Sequence, residues 1–243
     1  VTALILRLAG PLQSWGEHSA FTSRDTQPFP TRSGLIGMFA AAQGYERGAS
    51  LVEFDPLEIT VRIDRPGVMI RDFHTIGGGD PTLTPRTAEG KRRAPGKGTI
   101  VTHRYYLSDA AFTVAVAGPD NIVHPLAEAL TRPRWQPYLG RRSCPPDQPV
   151  LLRTGVTEPL EELRRRVPIN HPPQESIDVV LEDPSADAVV TELADIPESF
   201  DPLQRRYRRR SVAVARFTGV PGDLWHRAPG SYRTALLTYM GVS

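Results

Sequence analysis

The sequence predicts an α+β fold: a ferredoxin-like domain carrying an inserted β-hairpin, followed by a C-terminal β-rich portion. Three observations lead there. Amphipathic segments run in the order strand, helix, strand, long excursion, strand or strand pair, helix. The apolar spacing switches between the two-residue and the helical period in step with that order. Two glycine clusters, Gly77-Gly78-Gly79 and Gly96-Lys97-Gly98, bracket a basic segment with no core-forming periodicity.

Taken in order, Thr2–Leu8 reads as a buried strand with Leu4, Leu6 and Leu8 on one face, ended by Gly10-Pro11. After a polar stretch, Ser33 is the expected N-cap of a helix over Gly34–Gln43. Leu35, Ile36, Phe39 and Ala40 of that helix face inward, and Gly44 stands at the C-terminal cap. Leu57–Asp64 alternates Leu57, Ile59, Val61 and Ile63 with Glu58, Thr60, Arg62 and Asp64, the pattern of a half-buried strand. The glycine-bracketed excursion predicts a projecting hairpin at about 71–104. Thr99–Leu107 and Ala111–Ala117 resume strand character, and Ile122–Thr131 reads as a second helix. Val150–Arg153 is placed to close the first sheet. Beyond it, strands are expected at Ile177–Leu181, Ser211–Phe217 and Thr234–Met240. The division falls near residue 150, with 1–150 as the first unit and 151–243 as an extension packed on it.

Charge is informative by kind and placement. The 243 residues carry 29 basic side chains, of which only Lys91 and Lys97 are lysines. A GC-rich genome explains such a bias, and so does a need for planar guanidinium forks that grip phosphates and stack on bases. The formal charge of +2 hides segregation. Gln174–Asp201 holds nine acids and no base, whereas Arg205–Arg216 holds six arginines and no acid. One cysteine, Cys144, excludes an intrachain disulfide and a multi-cysteine metal site. The six histidines show no ligand spacing, so no metal or other cofactor is expected. No signal-like or membrane-spanning run of about 20 apolar residues occurs, and a cytoplasmic location without membrane partners is expected.

Five segments could carry function. Pro30-Thr31-Arg32-Ser33-Gly34-Leu35-Ile36-Gly37 offers a helix N-terminus with free amides and Arg32, suited to an anion, or it is an ordinary capped helix with glycines for close packing. No Gly-Lys-Ser/Thr follows, so it is not a nucleotide-hydrolysing P-loop. In Gly10-Pro11-Leu12-Gln13-Ser14-Trp15-Gly16, Trp15 either stacks on a base or anchors the loop in the core, with Arg24 nearby in sequence. The hairpin region supplies Arg71, His74, Lys91, Arg92, Arg93, Lys97, His103 and Arg104 for tracking a phosphate backbone, or is a merely solvated loop. Trp135–Pro145 sets Arg141 and Arg142 beside Trp135 and Tyr138 for phosphate binding and base stacking, or is a surface loop with Trp135 and Tyr138 packed down. Arg205–Arg210 binds RNA or an acidic protein surface, or is a solvated strand edge. For metal-independent RNA cleavage the acid–base candidates are His18, His74, His103 and Tyr105, none distinguished by its neighbours.

Together, the Leu4–Leu8 strand, Gly10–Gly16, Pro30–Gly37, Ala40–Gly44 and Tyr138-Leu139-Gly140-Arg141-Arg142-Ser143-Cys144-Pro145 resemble the CasD subunit family of the type I-E CRISPR Cascade complex. The resemblance covers about the first 150 residues. It implies an RRM-type RAMP domain with a thumb-like hairpin that binds the 5′ handle of the CRISPR RNA. It implies contacts with the backbone subunit CasC and the large subunit CasA, and a role toward target DNA only through them. Handle contacts would come from Gln13, Ser14, Trp15, Arg24, Thr31, Arg32, Ser33, Arg141 and Arg142. Thumb contacts would come from Arg71, His74, Lys91, Lys97 and Arg104. A non-catalytic subunit is the expectation; a metal-independent endoribonuclease acting on precursor CRISPR RNA is the alternative.

Overall fold

The computed structural model describes residues 1–17, 22–77, 87, 91, 98–182, 189–201 and 205–242. Lys97, Arg92, Arg93 and His18 lie outside them. Strand β1 (Thr2–Ala9) is an inner strand, buried on both faces. It is followed by two short strands, β2 (Leu12–Gln13) and β3 (Ser23–Arg24), and then by helix α1 (Arg32–Gln43). Next come β4 (Glu58–Arg65), β5 (Val68–Ile76), β6 (Ile100–Ser108), β7 (Ala111–Gly118), α2 (Asp120–Thr131) and β8 (Leu151–Val156). The chain finishes with α3 (Pro159–Arg165), β9 (Ser176–Leu181), β10 (Val189–Ser199), β11 (Arg206–Thr218) and α4 (Pro229–Met240).

The main sheet has seven strands in the order β10-β11-β9-β4-β7-β1-β8, with every neighbouring pair antiparallel. Its β4-β7-β1-β8 half, with α1 and α2 as the intervening helices, is the ferredoxin-like arrangement expected from the sequence. Residues beyond β8 widen the same sheet from its β4 side. The excursion is a hairpin: β5 pairs with β6 from Val68↔Ser108 to Ile76↔Ile100, and β2 and β3 line the other side of β6.

Both faces of the sheet are covered, which explains the mixed burial of its strands. Leu4, Leu6 and Leu8 pack with α1 and α2, while Ala3 and Ile5 pack against a second layer made by α3 and α4. Small residues at Ala3, Ala115 and Ala117 let that layer approach closely. The second layer corrects the half-buried reading of β4. Arg62 is fully buried and Asp64 nearly so. Arg62 Nε donates to Asp64 Oδ1 at 2.6 Å, and its terminal nitrogens donate to the carbonyls of Leu163, Val167 (3.0 Å) and Pro168 (3.2 Å). A buried charge persists only when paired in this way.

Two further expectations change. Thr234–Met240 is part of a helix, not a strand: Pro229 opens α4, Gly241 closes it at φ 73°, and Tyr232, Leu236 and Tyr239 bury one helical face. Helix α1 starts two residues before the expected Gly34, with Thr31 rather than Ser33 as its N-cap: Thr31 Oγ1 accepts from Gly34 N at 3.3 Å. Gly44 ends it in the left-handed region at φ 84°, as its position suggested.

Candidate nucleic-acid interface

Helix α1 buries Leu35, Ile36, Met38, Phe39 and Ala42. Its opposite face has almost no side chains: Ser33, Gly34, Gly37 and Ala41, spaced by one helical turn. That bare face is the floor of a groove of about 830 Å³. Four other segments wall it: Ser14 to Gly16, Tyr45 to Leu51, Trp135 to Pro145, and the approach to β11 with Phe200, Arg205 and Tyr207.

The Trp135–Arg142 wall is fixed from within. Leu139 and Cys144 are fully buried. Ser14 N donates to Leu139 O at 3.1 Å, and Leu139 N donates to Cys144 O at 2.8 Å. Gly140 sits at φ 82°, where a Cβ would lie 1.7 Å from the Ser14 carbonyl oxygen, so no other residue fits there. This clamp pushes Arg142 outward while Trp135 stays 45% exposed.

The groove is electropositive. Arg47, Arg142 and Arg205 are exposed and have no ion pair among the described residues, while Glu46 is the one acid in the lining. Tyr45 is held as a neutral phenol. A hydrogen bond with Glu53, partial burial and the Glu53 charge together push its pKa up to about 12. Among the described residues no three His, Cys, Asp or Glu side chains gather as a metal site. No helix among them is long and apolar enough to cross a membrane.

The residues singled out in the sequence separate into three groups. Arg142 lines the groove exposed, and Ser33 lines it half-buried with its hydroxyl 3.4 Å from Thr31 Oγ1. A second group is structural. Gln13 is fully buried, donating from Nε2 to Leu8 O (3.1 Å) and Ala110 O (2.8 Å) and accepting from Trp15 Nε1 (3.0 Å). Ser14 Oγ donates to Tyr105 O at 3.0 Å. Trp15 is fully buried with its ring against Gly34, which corrects the stacking alternative in favour of a core anchor. Thr31 is spent as the cap. Arg141 lies 4.8 Å over the Tyr106 ring and donates from Nη2 to the carbonyls of Arg24 (3.1 Å) and Asp25 (3.3 Å). Arg24 itself sits half-buried on β3, off the groove.

Arg32 is the largest correction. Only 5% exposed, it donates to Leu57 O (2.7 Å), Phe54 O (3.0 Å), Asp55 O (3.1 Å) and both oxygens of Glu182 (2.9 Å each). Its backbone N–H donates to Asp195 Oδ2 at 2.7 Å. The anion that a helix N-terminus attracts is therefore already present as a carboxylate of this chain. Arg210 completes the cluster, donating to both oxygens of Asp195 (2.6 and 2.8 Å) and to Glu182 (2.7 Å). Burial works against the Arg210 charge, but Asp195 and Glu182 outweigh it and raise its pKa.

The third group lies on the hairpin, away from the groove. Arg71 is exposed on β5, and His74 pairs with Asp72 at 3.5 Å. Arg104 Nε donates to Thr102 Oγ1 at 3.2 Å, and Lys91 is exposed. The sequence singles out Gly37 but gives no sign of Arg47, Tyr45 or Phe200, and it leaves Arg205 and Tyr207 undivided within the basic run. The Gly34-Gly37-Ala41 spacing was the available signal for the floor.

A ferredoxin-like sheet with a projecting hairpin and a basic groove along its first helix defines a RAMP-type domain. The family model described as CRISPR-associated protein (Cas_Cas5) matches residues 3–213, and the chain belongs to that family. The CRISPR system Cascade subunit CasD of Escherichia coli (strain K12) is 38% identical over 181 residues, covering 68% of this chain and 77% of its own length. A chain of a solved CRISPR RNA-guided surveillance complex is 49% identical with a TM-score of 0.88, covering 98% of this chain and 99% of that one. A second solved structure, described as a crystal structure of a Cas protein, is 31% identical with a TM-score of 0.65, covering 93% and 99%.

Proposed function

We propose that this chain is the CasD-type subunit of a Cascade surveillance complex, and that the α1 groove grips the 5′ handle of the CRISPR RNA. The observation that carries the reading is the union of a floor stripped of side chains with three unpaired guanidinium groups. Phosphates meet Arg47, Arg142 and Arg205 as forks. Bases stack on Trp135, and on Tyr138 or Tyr207 where the strand turns. Gly37 and Ala41 let the sugar–phosphate chain approach the helix backbone, and Ser33 offers a hydroxyl, while Gly34 makes room for the Trp15 ring.

Binding without cleavage is the reading the chemistry supports. His74, His103 and Tyr105, the cleavage candidates among the described residues, all lie outside the groove lining. Tyr45, which does line it, keeps its proton to about pH 12 and is a poor general base near neutrality. The hairpin suits contact with neighbouring subunits such as CasC. Val68, Met69 and Phe73 on β5 are 67%, 53% and 64% exposed, with Met69 and Phe73 on one face of the strand and Val68 on the other, apolar side chains suited to cover by a neighbouring subunit. CasA and, through it, target DNA are further partners in this reading.

Two assays test it. Handle RNA carrying 4-thiouridine is crosslinked to the full chain and the peptides are mapped. Crosslinks within 45–49, 135–142 and 205–207 are expected; crosslinks confined to the hairpin contradict the groove. Incubating repeat RNA with the protein in EDTA is expected to leave it intact, and cleavage at one position supports the endoribonuclease instead.

A further inference from the structure

The two ends of the main sheet are finished differently. At one end, β10 contains Pro197 and the exposed carboxylates Glu192 and Glu198. Proline and charge on an edge strand discourage another chain from pairing with it. At the other end, β8 reads LLRTGV, with no proline, and among the described residues it pairs only with β1. Its one charged side chain, Arg153, turns to the α3–α4 face, donating to Glu162 Oε1 (3.0 Å) and Tyr239 O (2.8 Å). The outer edge of β8 has no strand partner and no charged side chain among the described residues, although its ladder with β1 shifts register twice and Gly155 sits at φ 69°.

A second groove, about 940 Å³, runs along that edge. Leu151 and Thr154 of β8 line it with Ala127 and Thr131 of α2 and Gln43 at the end of α1. The Gln43 side-chain oxygen is buried and accepts no hydrogen bond from the described residues. Arg132 and Arg134 also line the groove, both exposed and without an ion pair among the described residues; Glu128 is the one carboxylate. Arg134 is held in place: its N–H donates to Ala42 O at 2.8 Å, and its stem lies across Gly44.

We propose that β8 and this groove receive an extended, acidic segment of a partner protein, which adds to the sheet as an eighth strand. Only another peptide backbone completes a β-ladder, which favours protein over nucleic acid as the occupant. The apolar lining accepts alternate side chains of such a segment, its carboxylates face Arg132 and Arg134, and an N–H donor satisfies Gln43. The proposal does not depend on the RNA-binding reading, because the two grooves share only Tyr45.

The test uses the full chain, tagged and purified from its host with whatever it assembles with. Thr154→p-benzoylphenylalanine is photoactivated in that assembly and the crosslinked partner is sequenced. An acidic protein segment is expected, together with amide exchange over 151–156 about tenfold slower than in the isolated chain. Charge reversal by Arg132→Glu with Arg134→Glu is expected to lower the crosslink yield about tenfold. The same pair leaves handle RNA affinity unchanged. A crosslink to RNA or to a basic or uncharged segment overturns the proposal. So does unprotected β8 without a crosslink, or a charge reversal with no effect.

Discussion

Arg32 is buried at the start of α1 and Arg142 lines the groove over the same helix, and the two meet opposite fates. Arg32 is enclosed by three carbonyls and Glu182 at the start of α1, while Arg142 points into open space on the same helix's bare side. The difference lies in what the rest of the chain brings to each. The acidic stretch folds as β9 and β10 and delivers Glu182 and Asp195 to Arg32 and Arg210, Glu198 to Arg208, and Glu192 to Arg209. Segments that look segregated along the sequence are thus neutralised across a sheet. Among the described residues, the arginines left without an ion pair include Arg47, Arg142 and Arg205 at the α1 groove and Arg132 and Arg134 beside β8, and function is to be read from such a remainder.

The contrast can be broken most forcefully at Arg32. Arg32→Ala leaves Glu182 and Asp195 facing each other with only Arg210 between them. Unfolding in urea should show a loss of about 3–5 kcal/mol, the usual cost of stranding one half of a buried pair. An unchanged midpoint would mean that Arg32 is not structural.

The glycines sharpen the same contrast inside α1. A Cβ on Gly34 meets Trp15 at 2.8 Å, so Gly34→Ala should destabilise by about 1–2 kcal/mol despite the better helix former. A Cβ on Gly37 meets only Phe200 at 3.6 Å, an ordinary contact, so Gly37→Ala should stabilise by about 0.5–1 kcal/mol. Thermal melts of the two variants should therefore move in opposite directions.

The smallest effect concerns Tyr45. Its raised pKa means that the folded protein holds this proton more tightly than the unfolded chain does. Its contribution is complete below the ordinary value of 10.0 and fades as pH rises toward 12. Ultraviolet titration should find the shift in the parent and a return toward 10.0 in Glu53→Gln.

Much of the fold is legible in the sequence because β1, β4, β7 and the two helices on one face follow clean periodicities. The hairpin is legible through its glycine brackets. What is not legible depends on long-range placement. The polar residues of β4 look solvent-facing because nothing local announces that residues 163–168 and α4 will cover them. Tyr232, Leu236 and Tyr239 carry a helical spacing that Thr234–Met240, read alone, conceals. At the site, Arg142 and Ser33 stand out from sequence, but Trp15 and Arg32 carry the same chemical credentials and are consumed by the core. Arg47 has no local distinction at all; only the turn after Gly44 brings it to the groove.

The most direct measurement is the salt dependence of handle RNA binding by the parent and by a variant with Arg142→Ala and Arg205→Ala. The account predicts weaker binding and a slope of log K against log salt smaller by about 0.7 for each guanidinium removed, with the fold intact. Identical affinity and slope in the two proteins would contradict it.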